Sequence, residues 1–582
     1  MMKVWLSAVV FLISSCGSVK NSSLVYFPGT KEKEQKGYSA VGKKFAIATQ
    51  GRYTTAAAKE MFDLDGNIAD AAVAASFVIS VERPQSTGIG GGGFLLFHKK
   101  GSAQPESWDF RERAPLLAHS EMYLDENGKV IKEKSKDGIH AVGVPGLVKG
   151  LLEFHKAHGK LSLAKVMAPA IKLAREGFPV YPELNTAITK RLKTISKFKD
   201  SKRIFLTKAG EPLKVGATLK QTDLANTLEL ISKKGIEGFY KGRIAKSIVK
   251  TSKNLGGILQ MADFKKYQVK KRAPVSRQYG SNTIYSMAPP SSGGIHVLQI
   301  LGIVENDKLE QYGPYHSKTM HLTAAAMQAA FVDRAKHLGD PDYQEVPVKE
   351  LLSDQHIKDM RYSIPESMGK NHASAGAALP KERFRLPHEK KHTTHFSLID
   401  NEGNVIASTQ TINGLFGSAV IAEGTGIVLN NEMDDFAAKK GDQNLFGAVG
   451  GDKNLVEPLK TPLSSMSPTI VLDETKKPIL ALGSPNGTRI ITCVALTLLN
   501  RLEHKLPLYE SVALARYHHQ WLPNEIRLEE LDYPKKTVET LKRMTYQLKK
   551  QNYTCRVQAV ENSNGKLRAV SDPRGEGMAF AE

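Results

Sequence analysis

The feature of this chain that most constrains its fold is an abrupt change of pattern at Thr393. Residues 363–392 are rich in Pro, Lys, His and Gly, which is typical of an exposed loop. Residues 394–400 and 405–411 then read as two strands joined by a turn at Glu402-Gly403-Asn404. The sequence therefore predicts a threonine at the junction between a long loop and a strand.

The rest of the chain mixes helical and strand patterns. Residues 45–49 resemble a strand, and residues 56–81 have an Ala-rich helical pattern interrupted by a turn at Asp65-Gly66. A glycine run at 88–93 matches GxGxxG, but it opens a strand, whereas a dinucleotide-binding loop follows a strand and opens a helix. We predict a tight turn there. The C-terminal third resembles a strand-rich layer and the earlier part is mostly helical, so the pattern indicates an α/β (α+β) fold.

Composition excludes several classes of protein. Of 582 residues, 41% are hydrophobic and 24% charged, which is ordinary for a globular protein and excludes disordered and disulfide-dense chains. The net charge of +22 raises the question of an anionic partner, but 7% aromatic residues do not support a base-stacking surface. Scattered lysines indicate a solvated surface, with an anionic membrane or envelope polymer as the alternative. We predict no nucleic-acid partner.

Cysteine and histidine usage bears on disulfides and metals. The chain has only three cysteines, so the mature protein can form at most one disulfide and has no cysteine cluster for a metal. No HExxH or comparable spacing occurs among the histidines. The sequence predicts neither a metal nor a cofactor.

The first residues resemble a targeting signal. Residues 4–13 form an apolar run that is too short to span a bilayer and fits a signal-peptide core. Ile13-Ser14-Ser15-Cys16 resembles a bacterial lipobox, in which Cys16 becomes the lipidated N-terminus; a plain secretory signal is the alternative. We predict a signal peptide over 1–16 and a flexible tether over 17–44. The mature protein is then exported, and periplasmic or anchored at the outer membrane.

Several short strings occur together in one order: 87–93, 108–112, 143–146, 289–294, 391–397, 411–414, 429–436, 462–469, 483–489 and 516–521. With these strings the chain resembles the γ-glutamyltransferase (γ-glutamyl transpeptidase) family from about Ala46 to Arg574. The resemblance implies the N-terminal nucleophile hydrolase fold, with two packed sheets between helical layers (αββα). It also implies self-cleavage between His392 and Thr393. A large subunit of 45–392 and a small subunit of 393–582 then form a heterodimer from one precursor.

The resemblance assigns the chemistry to the new N-terminus. A threonine hydroxyl needs a base, and cleavage frees an α-amine with a reference pKa of about 7.7–8.0 on the same residue. The family pattern implies that Thr411 orients Thr393. Backbone N–H groups of Asn486 and Gly487 match the family's oxyanion hole. Asn486 departs from the family's Gly-Gly pair, so its side chain would crowd the turn if a positive φ were needed.

Family positions also imply the substrate contacts. Arg111, Ser464 and Ser465 match the residues that bind the α-carboxylate of a γ-glutamyl group. The positions that receive its α-ammonium correspond to Asn413, Glu432 and Asp435. Read without the family, Arg111 is a surface ion pair with its neighbours and residues 434–435 are a turn. The segment 437–456 matches a lid with Phe446 at its aromatic position, and a disordered surface loop is the alternative.

The resemblance implies a γ-glutamyltransferase and glutathione hydrolase. Such an enzyme moves the γ-glutamyl group of glutathione or another γ-glutamyl amide, through an ester on Thr393, to water or to an amino acid or peptide acceptor. One alternative is a related self-cleaving amidase, such as a cephalosporin acylase or a poly-γ-glutamate transferase. Another is a non-catalytic, basic, envelope-binding relative that stays uncleaved.

Overall fold

A computed structural model describes residue 24 and residues 37–365, 393–552 and 555–582. The signal peptide with Cys16, most of the tether and the cleavage-site residue His392 lie outside the described residues. None of the described helices is long and apolar enough to cross a membrane.

Two antiparallel sheets of seven strands each form the centre of the fold. In spatial order, the strands of sheet I are Ser39–Gly42, Lys566–Ser571, Gln558–Ser563, Pro478–Gly483, Thr469–Leu472, Asn282–Ser286 and Val275–Tyr279. The strands of sheet II are Met578–Ala581, Phe45–Thr49, Thr394–Asp400, Val405–Thr411, Gly92–His98, Glu106–Asp109 and Lys270–Arg272. Two smaller sheets contain Tyr517–His518, Ile526–Glu529 and Leu548–Gln551, and Phe178–Pro179 and Thr218–Leu219.

Side chains of sheet II alternate between two hydrophobic cores, as the two-residue period of a strand requires. Phe396 and Leu398 face a core shared with helices, whereas Ile399 belongs to the core between the sheets. The neighbouring strand behaves in the same way, with Ile406 on the helix side and Ala407 on the sheet side. Both faces of sheet II are therefore covered.

Helices cover the outer face of each sheet. Those packed on sheet II are Arg52–Asp63, Ile68–Glu82, Leu147–His158, Leu163–Glu176, Pro182–Ile195, Lys199–Phe205, Thr222–Lys234, Ile236–Tyr240, Arg243–Asn254 and Met261–Lys266. Those in the core of sheet I are Gly293–Val304, Ser317–His337, Val348–Leu351, Asp354–Tyr362, Arg489–Leu498, Leu508–Ala513 and Lys535–Arg543. A π-helix, Leu499–Glu503, continues one of these, and short 3₁₀ turns occur at Ile139–Ala141, Leu309–Gln311, Glu432–Asp435 and Asp452–Asn454. The order helix, sheet, sheet, helix confirms the predicted αββα architecture.

Local signals explain the helix boundaries near the centre of the fold. The side chain of Asn67 accepts hydrogen bonds from the backbone N–H groups of Ala69 and Asp70, and Asp70 accepts one from Asn67 in return. This capping box begins the fully buried helix Ile68–Glu82, which packs against the hairpin strands of sheet II. The predicted break at Asp65-Gly66 is confirmed by the helix that ends at Asp63.

The strand predicted at 45–49 is confirmed, and together with Gly92–His98 it flanks the hairpin strands within sheet II. One expectation is wrong. Residues 39–42, assigned to the flexible tether, form an edge strand paired with Lys566–Ser571. This pairing joins residues distant in sequence, which local patterns do not specify.

The cysteines form one disulfide, between Cys493 and Cys555. It joins the helix Arg489–Leu498 to the segment before the strand Gln558–Ser563. This pairing agrees with the limit of one bridge set by the cysteine count.

Candidate active site

Thr393 and Thr411 meet because the hairpin strands pair in register. Thr394 lies opposite Gln410, so the residue before the first strand lies beside the last residue of the second. The hydroxyl oxygens of Thr393 and Thr411 are 3.0 Å apart, within hydrogen-bond distance. The N–H of Asn413 donates to the Thr411 hydroxyl at 2.8 Å, which fixes the position of that side chain.

Thr393 has a strained backbone. Its φ is +73°, a value that β-branched residues rarely adopt. Strain of this kind typically costs about 1–3 kcal/mol and persists where surrounding structure enforces it.

His395, two residues after Thr393, forms no hydrogen bond with it among the described residues. Its ring nitrogens lie 2.8 Å from the Thr409 hydroxyl and 3.0 Å from the Ser397 hydroxyl. Burial lowers the pKa of His395 to about 3, so the ring is neutral at physiological pH. It serves as a buried hydrogen-bonding residue of sheet II.

The turn after the strand Pro478–Gly483 brings two residues with left-handed backbones toward the site. Asn486 has a φ of +101° and Gly487 a φ of +53°. A Cβ atom on Gly487 would lie 2.2 Å from Cδ1 of Phe446, so the close approach of the ring also requires glycine. The N–H of Gly487 donates to none of the described residues.

Arg111 follows the strand Glu106–Asp109 and is only 1% exposed. Its Nη1 lies 2.6 Å from Oε1 of Glu432, and its Nη2 lies 2.6 Å from Oδ2 of Asp435. The Nε–H donates to the carbonyl of Pro462 at 2.9 Å. The reading of Arg111 as a surface ion pair with its sequence neighbours is therefore wrong. Asp109, one of those neighbours, pairs with Arg272 instead.

The buried carboxyl groups around Arg111 hold their protons more tightly than usual. Burial raises the pKa of Glu432 to about 7, although the Arg111 guanidinium opposes that shift. Burial also raises the pKa of Asp435, again opposed by Arg111. The pKa of Glu112 lies well above its ordinary value because of burial and the nearby Glu432. Glu112 and Glu432 are buried next to each other, so they do not both ionise at neutral pH.

Ser464 and Ser465 lie opposite the turn around Pro290. The N–H of Ser464 donates to the carbonyl of Pro290 at 2.8 Å, and its own hydroxyl accepts from the N–H of Met466. The Ser465 hydroxyl has no hydrogen-bond partner among the described residues, and both serines line the same cavity as Arg111. These hydroxyls are suited to donate to a bound carboxylate.

One cavity brings together every predicted catalytic, binding and lid residue of the described part except Asn486. Its lining contains Arg111, Thr393, Thr411, Asn413, Glu432, Asp435, Phe446, Ser464, Ser465 and Gly487. The cavity has a volume of about 20 Å³, room for roughly one water molecule. A larger ligand therefore requires the cavity to open.

The segment 437–456 folds over this cavity. Its Asn444 side chain donates to Oδ1 of Asp435 at 2.9 Å, and the N–H of Leu445 donates to Oδ2 of Asp434 at 2.7 Å. These bonds place the Phe446 ring against Gly487. The segment is thus bound to the carboxylates of the site, as a lid would be.

Sequence reasoning missed Asn444 and Arg334, which also line the cavity. Asn444 stands two residues before Phe446, but nothing in the lid sequence marks it as a partner of Asp435. Arg334 is a single arginine in the helix Ser317–His337, where no local motif distinguishes it from a surface residue.

The chain is similar to glutathione hydrolases over most of its length. The chain is 39% identical to the glutathione hydrolase proenzyme of Escherichia coli K12, over 91% of this chain and 90% of that protein. It is also 39% identical to the glutathione hydrolase proenzyme of Pseudomonas aeruginosa, over 92% of this chain and 94% of that protein.

Solved structures share the fold of this chain. The cephalosporin acylase of Bacillus halodurans has the same fold, with a TM-score of 0.80 at 24% identity, covering 96% of this chain and 99% of that one. The γ-glutamyltranspeptidase of Helicobacter pylori has a TM-score of 0.53 at 37% identity, over 54% of this chain and 90% of that one. Residues 54–581 match the family described as Gamma-glutamyltranspeptidase. The chain therefore belongs to the γ-glutamyltranspeptidase family.

Proposed function

We propose that this chain is a self-cleaving γ-glutamyltransferase and glutathione hydrolase with Thr393 as its nucleophile. The observation that carries the proposal is the hydrogen-bonded Thr393–Thr411 pair in a cavity that also holds Arg111 and two carboxylates. The names of the E. coli and P. aeruginosa relatives support the same activity.

Self-cleavage begins at the strained residue. The Thr393 hydroxyl attacks the carbonyl carbon of residue 392, the C–N bond breaks, and the acyl group moves to Oγ1 as an ester. The hydroxyl proton passes to the departing nitrogen, so this shift frees the α-amine of Thr393. Water then hydrolyses the ester, which frees the carboxylate of residue 392 and regenerates the Thr393 hydroxyl. Release of the φ constraint at +73° favours this direction.

Acyl transfer then uses both groups of Thr393. The free amine takes the hydroxyl proton, directly or through water, while Oγ1 attacks the γ-carbonyl of the donor. Backbone N–H groups at Asn486 and Gly487 stabilise the developing oxyanion, and such a donor is typically worth about 3–4 kcal/mol. The protonated amine returns the proton to the departing amine, which leaves a γ-glutamyl ester. Water releases glutamate from it, whereas an acceptor amine gives a new γ-glutamyl amide.

Substrate binding exchanges ion pairs. Without substrate, Arg111 is held by Glu432 and Asp435. A γ-glutamyl donor brings one α-carboxylate and one α-ammonium. The carboxylate accepts hydrogen bonds from Arg111, Ser464 and Ser465. The ammonium donates to Asn413 and pairs with Glu432 and Asp435, which Arg111 has released. Each buried charge keeps an opposite partner, which avoids the large penalty for an unpaired buried charge.

The lid controls access. Because the cavity holds about one water, we propose that Phe446 swings away from Gly487 to admit the donor and returns to exclude bulk water from the ester. Bonds from Asn444 and Leu445 to the adjacent aspartates would have to break and re-form in each cycle.

We further propose that cleavage yields the large subunit 45–392 and the small subunit 393–582 as a heterodimer. The precursor carries a signal peptide over 1–16, a lipid on Cys16 and a tether that ends before the strand Ser39–Gly42. The product is an exported protein, periplasmic or anchored at the outer membrane.

The test is release of p-nitroaniline from L-γ-glutamyl-p-nitroanilide by the exported protein. The wild type should run as two fragments and turn over, whereas Thr393→Ala should remain a single chain without activity. Thr475→Ala is the matched control because it removes a threonine hydroxyl from an exposed turn. A wild type that stays uncleaved and inactive would favour the non-catalytic alternative. A cleaved wild type that prefers glutaryl amides would favour an acylase.

A further inference from the structure

Arg334 is a second cation in the cavity, besides Arg111. It lies in the last turn of the helix Ser317–His337 and is 5% exposed. Its Nε–H donates to the Ser292 hydroxyl at 3.1 Å, and it forms no ion pair with any carboxylate of the described chain. The guanidinium therefore has hydrogen-bonding capacity left at the cavity wall.

Several other buried arginines are matched by carboxylates at 2.6 to 2.7 Å: Arg83 pairs with Glu183, Arg516 with Asp572 and Arg574 with Glu529. Burying a guanidinium without such a partner is costly. Burial lowers the pKa of Arg334 to about 10; attraction to Asp435 opposes this shift and repulsion from Arg111 adds to it. Arg334 therefore stays charged at neutral pH. A buried, charged and incompletely paired arginine in a cavity indicates a site for an anion.

The position of Arg334 indicates which anion. Ser292, which accepts from Arg334, donates from both its hydroxyl and its N–H to the carbonyl of Ser464, at 2.8 and 2.9 Å. Arg334 is thereby tied to the serine pair, 464–465, proposed to bind the α-carboxylate. Its charge also acts on Asp435, the carboxylate that Arg111 holds in the absence of substrate.

We propose that Arg334 binds the α-carboxylate of the γ-glutamyl donor as a second cation, together with Arg111. This inference rests on the proposed function. In the absence of substrate, the guanidinium nitrogens of Arg111 already donate to the carboxylates of Glu432 and Asp435 and to the carbonyl of Pro462. Arg334 gives the incoming carboxylate a cation before Arg111 exchanges its partners, and it balances Asp435 once Arg111 has turned to the substrate.

The experiment compares two inhibitors of anilide hydrolysis that differ only in the α-carboxylate. L-Glutamate carries it, and 4-aminobutyrate has a hydrogen in its place. Arg334→Met should raise the KM for the γ-glutamyl anilide and the Ki of glutamate by about tenfold to hundredfold, the range for a lost hydrogen bond to a charged group. The Ki of 4-aminobutyrate should change less than about twofold. Arg334→Lys, which keeps the charge but loses the planar fork, should recover part of the loss.

Lys336→Met is the control, because Lys336 is an exposed cation on the same helix. An equal rise in both inhibition constants would show a structural role and overturn the proposal, as would an unchanged KM. If Arg334→Met does not undergo self-cleavage, the Ki values of glutamate and 4-aminobutyrate are measured with Arg334→Lys instead. Equal changes in these two constants refute the proposal. A wild type that cleaves but does not hydrolyse the anilide contradicts the proposed function instead, which separates the two failures.

Discussion

Substitution of Gly487 by alanine tests the contact between the turn and the lid. The added Cβ would lie 2.2 Å from Cδ1 and 2.4 Å from Cγ of Phe446, whereas ordinary carbon contacts begin near 3.5 Å. The ring must therefore move by roughly 1 Å or more, and overpacking of this kind typically costs about 1–3 kcal/mol. The φ of +53° adds about 1–2 kcal/mol for any residue with a Cβ.

The two costs separate in a double-mutant cycle with Phe446→Ala. In the wild-type background, Gly487→Ala bears both costs, so we expect kcat/KM for the anilide to fall by about 30-fold or more. In the Phe446→Ala background the steric cost is absent, and the same substitution should cost only about tenfold. The coupling free energy between the two sites should therefore be about 1–3 kcal/mol.

The assay is kcat/KM on the cleaved enzyme, with thermal unfolding as a check on folding. Because the lid is a surface segment, the steric strain should open it rather than unfold the protein. The unfolding midpoint should therefore fall no further than the backbone cost of about 1–2 kcal/mol at position 487 requires. If the two substitutions simply multiply in their effects on kcat/KM, Phe446 does not rest on Gly487 and the reasoning fails.

Three further predictions concern charge and cross-links. The pKa of Glu432 is raised to about 7 from an unfolded value of 4.5, so the folded state holds that proton more tightly and stability decreases as pH rises between these values. Glu432→Gln should remove this decrease. Between pH 5 and pH 8, the thermal unfolding midpoint of the wild type should therefore fall by more than that of the variant. Equal falls in the two proteins would contradict the prediction. Arg516→Met should destabilise the protein by about 3 kcal/mol, because Asp572 remains buried with one cation fewer; denaturant unfolding measures this, and a loss near zero would refute it. Replacing Cys493 and Cys555 together by alanine should cost about 4 kcal/mol for a bridge across 62 residues, and unfolding midpoints that do not respond to a reductant in the wild type would count against the bridge.

Local parts of the fold could be predicted from the sequence, and non-local parts could not. The hairpin at 394–411 was predictable because alternation and a Glu-Gly-Asn turn are local signals. The strand Phe45–Thr49 was also predicted, but its pairing with this hairpin was not, since the pairing joins residues nearly 350 positions apart. The edge strand Ser39–Gly42 is four residues long and has no pattern of its own. Its partner lies more than 500 residues away.

The same division holds at the site. Family motifs predicted that Arg111, Glu432 and Asp435 would share one pocket, and all three line the cavity. They did not predict that Arg111 would bind both carboxylates, because ion pairing depends on which charges burial leaves without water. Arg334 had no local signal, since a helix carries single arginines on any face. Its proposed role rests on its place in the cavity wall and on the absence of an ion pair between it and any described carboxylate.

The interleaving of strands in sheet II has a consequence for the two fragments after a cut before Thr393. Strands from both sides of the cut are neighbours within the sheet, so neither fragment has a complete sheet of its own. Separation would expose unpaired strand edges in each fragment, and it is therefore equivalent to unfolding. The proposed heterodimer should show no measurable dissociation on dilution. Fragments expressed apart should gain activity only when they fold in each other's presence.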